Sequence, residues 1–198
     1  MRARRSQVVV WMMSSLVLMA WPVGVRGDQE PNMPQAGPSP KAVEAMRLLE
    51  SDDRYQREVG FLRLEALREP ATLETITRYL NNRDPETRAY SVRAVAAIKG
   101  GASIPTLLEV LRTDKHPTVR RAALLGLEPF QQADPAILPA FLGALRDKKS
   151  EVRITAVDIV SRINDPRAKD AIRERAKHEH HPDVRRAVVL AVKRIGDK

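Results

Sequence analysis

The sequence predicts an all-α chain, an α-solenoid of about five stacked helical hairpins. Three observations carry that expectation. First, arginines stand at 57, 88, 120, 153 and 185, spaced 31, 32, 33 and 32 residues apart. Second, each is followed three positions on by a small residue (Gly60, Ser91, Ala123, Ala156), with Val188 the largest. Apolar residues follow at four (Phe61, Val92, Leu124, Val157, Val189), at seven (Leu64, Val95, Leu127, Val160, Val192) and at ten (Leu67, Ile98, Phe130, Ile163, Ile195). Steps of three and four trace one face of an α-helix, so one amphipathic helix is copied five times. Third, a second apolar run lies ahead of each copy. A fixed period in the low thirties made of two helices is the signature of a stacked array.

Taken in order, the first helices are marked by Val43, Met46 and Leu49, then by Leu73, Ile76 and Leu80. Ile104, Leu107, Leu108 and Leu111 mark the third, and Leu138, Phe141, Leu142 and Leu145 the fourth. The fifth, Arg167 to Lys177, offers only Ala168, Ala171, Ile172 and Ala176. Asp84-Pro85, His116-Pro117 and His181-Pro182 each stand before a second helix, where a polar cap followed by proline suits a helix start. Asp134-Pro135 and Asp165-Pro166 take the same role before first helices. Gly100-Gly101 closes a second helix at a point that wants a left-handed residue, while Pro105 and Pro139 fit first turns. One unit cannot offset its own ordering entropy, at about 1–2 kcal/mol per residue of backbone, with a handful of buried aliphatic side chains. Neighbouring units must cover it, and the small residue after each arginine permits the close approach of helices.

The strings Asp84-Pro85-Glu86-Thr87-Arg88, His116-Pro117-Thr118-Val119-Arg120 and His181-Pro182-Asp183-Val184-Arg185 resemble the core motif of HEAT repeats, and most of all the short phycobilisome-lyase HEAT-like type. Ile163-Asn164-Asp165-Pro166-Arg167-Ala168 is similar to that family's turn between repeats. The resemblance spans residues 41–198 and implies an array used chiefly for interaction; a fold by itself assigns no chemistry.

Residues 1–27 read as an export signal. Arg2, Arg4 and Arg5 precede an apolar stretch from Val8 to Ala20, and Val25-Arg26-Gly27 suits cleavage before Asp28. The apolar stretch is shorter than the ~20 residues of a spanning helix, so no stable membrane span is expected after removal, an uncleaved anchor being the alternative. Residues 28–40, with Pro31, Pro34, Pro38 and Pro40, read as a proline-rich linker, and residues 41–198 as the repeat domain. Without the leader the chain has 30 basic and 25 acidic residues, too even a balance for a dedicated nucleic-acid binder. Aromatic residues make up only 4%, which gives little material for base stacking. Cysteine is absent, so disulfides and thiol chemistry are excluded.

Arg57, Arg88, Arg120, Arg153 and Arg185 form a column on the second helices. It is read as structural, a ladder between neighbouring repeats built with acids such as Asp53, Asp84, Asp114 and Asp147, as the HEAT resemblance implies. A weaker basic stripe, Arg93, Arg121, Arg162, Arg186, Lys193 and Arg194, is the candidate protein-binding surface. His178-Glu179-His180-His181 supplies metal-type ligands, but not at the spacing of a helical zinc motif, and reads as a polar turn. No nucleophile elbow or phosphate-cradling glycine loop appears. No catalytic residue, metal or cofactor is therefore assigned. The C-terminal helix, apolar over much of its circumference, is expected to pack against a partner or a second copy, since solenoids ordinarily end on a polar cap. The resulting expectation is an exported, non-enzymatic scaffold binding an unidentified protein in a bacterial cell envelope. The alternative is a lyase-associated, chaperone-like subunit handling a bilin chromophore.

Overall fold

Several helices begin where the sequence places them because their first turns are capped locally. In the computed structural model, which describes residues 37–196, Asp84 accepts hydrogen bonds from the Glu86 and Thr87 amides, Asp53 from Tyr55, and Asp165 from Arg167. Proline occupies the first residue of the helices starting at 85, 117, 166 and 182, where its missing N–H costs nothing. The export signal and most of the proline-rich linker lie outside the described residues. The linker boundary shifts within them: Pro40 is the first residue of a helix, and Ser39 caps it while bonding Glu69 thirty residues away at 2.6 and 2.8 Å.

Among the described residues the chain is helical throughout, running α1 (Pro40–Leu49), α2 (Arg54–Leu67), α3 (Leu73–Arg78), α4 (Pro85–Lys99), α5 (Ile104–Thr113), α6 (Pro117–Leu127), α7 (Ile137–Ala144), α8 (Ser150–Val160), α9 (Pro166–His178) and α10 (Pro182–Gly196). Odd and even helices alternate as the two members of five hairpins. The α3 member is short, with 3-10 turns at Pro70–Thr72 and Tyr79–Asn81 completing it. Asp134-Pro135 departs from its expected role: Asp134 accepts from the Ala136 amide, and α7 begins two residues past the proline. Gly100 has φ 55° and ψ −135°, a conformation that glycine takes without a Cβ penalty, and its amide donates to the Ala96 carbonyl to end α4.

The even helices pack directly on one another in chain order, forming the tighter of the two layers, while the odd helices touch more sparsely. Gly60 and Ser91, each three after its arginine, face the odd helix of the same unit. Gly60 lies so close to α1 that a Cβ there would stand 2.8 Å from both the Ala45 carbonyl and Leu49 Cδ2. Ser91 is fully buried and donates to the Ile76 carbonyl at 2.7 Å. Positions four and seven after the arginine fill the space between even helices: Val92, Val95, Leu124, Leu127, Val157 and Val160 are at most 1% exposed. At the α2–α4 junction Phe61 takes this position, edge-on to Tyr79 at 5.4 Å and stacked on Tyr90 at 6.2 Å.

Candidate functional site

The arginine column is a set of bidentate rungs between successive units. Arg88 donates through Nε and Nη2 to Asp114 at 2.8 and 2.9 Å. Arg120 donates to Asp147 at 2.7 Å through each of the same atoms, and Arg153 to Glu179 at 2.9 and 3.0 Å. The third nitrogen, Nη1, donates back to a carbonyl of its own preceding turn: Asn82, Asp114 and Asp147 respectively, each at 2.9 Å. Planar guanidinium is suited to this, because its fork matches a carboxylate while a further N–H remains free for a carbonyl. Arg88 and Arg120 are among the few buried charged residues.

Each rung carboxylate also builds the turn that precedes the next even helix. Asp114 accepts from the His116 amide, Asp147 from Lys149, and Glu179 from both His180 and His181. The rung position is thus two residues ahead of the helix cap, and along the chain it reads Ser51, Asn82, Asp114, Asp147, Glu179. Burial alone would raise these carboxyls. The bonds from the arginines and turn amides outweigh it and hold Asp114 and Asp147 below the ordinary carboxylate range. Glu179, whose burial is opposed by Arg153, the His181 amide and Arg175 at 2.6 Å, is lowered to about 2. Hydrogen bonding to Asp114 raises Arg88 further.

Sequence reading placed Asp53 and Asp84 near the arginines; both instead cap helices. It missed Glu179 as a rung because that residue stood inside a histidine cluster, although its register with Asp114 and Asp147 was the available signal. His178 turns away from Glu179 and pairs with Glu174 at 2.8 Å. At the two ends of the column the pattern changes. Arg57 donates only to the Ser51 and Asp52 carbonyls, since the rung position in the next unit is the neutral Asn82. Arg185 is exposed, and among the described residues no carboxylate stands against it.

The weaker basic stripe is largely engaged between even helices. Arg93 pairs with Glu65 at 3.0 Å, Arg121 bonds Thr155 at 3.2 Å, and Arg162 pairs with Glu128 at 2.6 Å. Arg194 bonds Ser161 at 2.6 Å. Arg186 pairs only within α10, with Asp183, and Lys193 is exposed with no ion pair among the described residues. On α10 the apolar side chains Val189, Leu190 and Val192 are 57%, 63% and 37% exposed. A shallow depression lined by Pro182, Arg185, Arg186, Val189 and Leu190 runs along this face. Between α7 and α9, where α9 offers alanines in place of bulky side chains, an open cleft of about 820 Å³ has Leu142, Leu145 and Ala171 on its walls and Arg146, Arg175 and His178 at its rim.

Comparison with known proteins places these features. The family model for HEAT repeats matches residues 42–128 and 104–193. No curated protein matches the sequence. Among solved structures, the complex of CpcE and CpcF of phycocyanin lyase from Nostoc sp. PCC7120 is similar in fold, with a TM-score of 0.63 and 22% identity over 76% of this chain and 96% of that one. An engineered protein is similar at 18% identity, with a TM-score of 0.49 over 79% of each chain. The expectation of a non-enzymatic chain is corrected by the first of these. A solenoid of this fold serves within phycocyanin lyase, so repeat architecture gives no ground for setting enzymes aside, and a ladder of structural arginines is compatible with duty inside an enzyme complex.

Proposed function

Because the chain belongs to the HEAT-repeat family, we propose that it acts by holding a protein partner, as one subunit of an enzyme assembly of the kind phycocyanin lyase represents. The observation that carries this reading is the apolar face of α10, where Val189 and Val192 stand in solvent while their counterparts in earlier units are covered, with the exposed Leu190 beside them. A monomeric surface seldom gathers large apolar side chains without a partner to cover them. The two-protein complex of CpcE and CpcF supports the same reading by analogy of fold. The test is affinity purification of the tagged full-length chain from its native cells. The expected result is a stoichiometric complex with a second protein, lost when Val189 becomes aspartate; a chain that elutes alone at native concentration refutes it.

The finer reading, service to a bilin chromophore, is supported by the cleft between α7 and α9. Its apolar walls suit a flat conjugated ligand, and Arg146 at its rim suits that ligand's carboxylates. Co-expression with bilin synthesis and a bilin-accepting protein tests it: a coloured adduct that depends on this chain and weakens in Arg146→Glu is expected, and unchanged colour in the chain's absence refutes it. A second reading, export to the cell envelope with work there as a protein-binding scaffold, is supported by Arg2, Arg4, Arg5 and the apolar stretch after them. N-terminal sequencing that begins at Asp28 is the expected result, and an intact Met1 with cytoplasmic fractionation refutes it.

A further inference from the structure

We propose that the outer face of α10 receives a helical hairpin from a partner protein, one that carries an aspartate or glutamate in the turn before its second helix. The proposal rests on the partner-binding reading above and specifies its site and chemistry. The chain itself supplies the template. On α8 the outward face is Arg153, Val157 and Val160; the α9–α10 hairpin covers it, burying both valines to 1% exposure and meeting the guanidinium with Glu179. On α10 the same three residue types recur at the same spacing, Arg185, Val189 and Val192. Here Val189 is 57% and Val192 37% exposed, and among the described residues Arg185 has no carboxylate. The same face is covered in the same manner on α4, by Asp114 and the α5–α6 hairpin, and on α6, by Asp147 and the α7–α8 hairpin. Four copies of one docking surface thus exist, three of them filled by a hairpin that offers an acid at the rung position.

Charge selects the occupant. A second copy stacked head to tail would bring its first unit, whose rung position is Ser51, already accepting from the Asp53 amide. A second copy packed tail to tail would set Arg185, Arg186 and Lys193 against their own like, an arrangement that repels. A hairpin with an acidic turn satisfies both the valines and the arginine.

The probe is a synthetic hairpin with the sequence of residues 165–196, bearing Val189→Glu and Val192→Glu so that it cannot stack on itself, and with its two helices covalently cross-linked so that it holds its fold without neighbours; circular dichroism establishes its helicity before use. Binding to the full 198-residue chain is followed by fluorescence anisotropy. Saturable binding is expected. It should weaken at least about tenfold when the hairpin carries Glu179→Gln or the chain carries Arg185→Gln, with the double combination no weaker than either alone. Arg185 is exposed, so its substitution should leave the thermal midpoint unchanged and keep the result interpretable. Equal binding by the Glu179→Gln hairpin overturns the proposal, as does absence of saturation. Because the chain has no cysteine, a single Val189→Cys thiol reports coverage of the free protein. Fast maleimide labelling, slowed by the hairpin, supports the proposal, whereas slow labelling of the free chain shows the face already covered by its own N-terminal segment or a second copy and overturns it. A native complex that forms and survives both Arg185→Gln and Val189→Asp overturns this site while leaving the partner-binding reading standing.

Discussion

Replacing Asp147 with asparagine isolates the charge of one ladder rung from its shape. Asp147 accepts two bonds of 2.7 Å from Arg120 and one of 2.8 Å from the Lys149 amide. Asparagine can keep the turn, as Asn82 does by accepting from the Asp84 amide at 2.9 Å. What it cannot keep is the negative charge facing a guanidinium whose side chain is 6% exposed. Leaving a buried charge without its partner costs about 3–5 kcal/mol; the remaining bond from Arg120 Nη1 to the Asp114 carbonyl argues for the lower end, about 3 kcal/mol. In a domain of this size each kcal/mol moves the thermal midpoint by about 2–4 °C, so a fall of about 6–12 °C is expected. Urea unfolding followed by circular dichroism measures the free energy directly. Since the rung joins the third unit to the fourth, a lower m-value, as the array loses cooperativity, should accompany the loss. Combining Asp147→Asn with Arg120→Met removes both charges and should recover most of the stability. The exposed pair Arg112–Glu109, with side chains 72% and 58% exposed, is the control: Glu109→Gln should cost less than about 0.5 kcal/mol. An Asp147→Asn cost no larger than that control, or a double variant as unstable as the sum of its parts, refutes the view that buried rungs hold the units in register.

Three further outcomes are expected. Asp114, Asp147 and Glu179 have folded-state pKa values below their ordinary 3.8 and 4.5, so the stability they contribute is complete above about pH 5 and lost as pH falls, Glu179 last, near 2; a urea midpoint that stays flat between pH 5 and 3 contradicts this. Gly60→Ala should destabilise by about 1–3 kcal/mol, because the added methyl meets the Ala45 backbone carbonyl at 2.8 Å, and an unchanged thermal midpoint would show that α1 moves aside freely. Asn82→Asp should offer Arg57 the carboxylate it lacks, stabilising by up to about 1 kcal/mol at that half-buried site; an NMR titration placing the new carboxyl at or above its ordinary value would show that no rung forms.

The even helices were legible because their pattern is local: an arginine, a small residue three on and apolar residues at four and seven are all set by one turn of helix. Their starts were legible for the same reason, Asp84-Pro85 being a cap and a first residue in sequence. The rungs were less so. Arg88, Arg120 and Arg153 each reach a carboxylate 26 or 27 residues ahead, and periodicity alone does not say whether the partner lies in the same unit or the next. Asp53 and Asp84 competed for the assignment on proximity, and it is their capping bonds that withdraw them. At the linker's end Ser39 caps α1 and Pro40 is its first residue, so the helix begins one residue ahead of the boundary expected. The basic stripe was visible as composition, but its cross-helix bonds, such as Arg162 to Glu128 and Arg194 to Ser161, depend on how far apart the even helices lie.

In a chain this periodic, departures from the period carry the functional information. The first junction replaces an ion pair with Phe61 between two tyrosines, which keeps it closed. The fifth unit departs twice without such compensation: α9 buries only Ala168 and Ile172, opening the cleft beside α7, and α10 repeats a docking face that nothing described covers. With so little apolar anchoring, this hairpin is held to the array by Glu179, clasped between Arg153 and Arg175, and by the inner residues Val184, Val188 and Ala191 of α10. Few buried apolar contacts mark the parts of a fold that open first, so this unit should have the lowest local stability of the five. A partner that binds only the ordered hairpin returns stability by mass action, about 2.7 kcal/mol at a concentration one hundred times its dissociation constant. Occupation of α10 should therefore register in hydrogen exchange along α9 and at the rim of the cleft, which makes the weakest unit the one through which a partner on the end face can act on whatever the cleft holds.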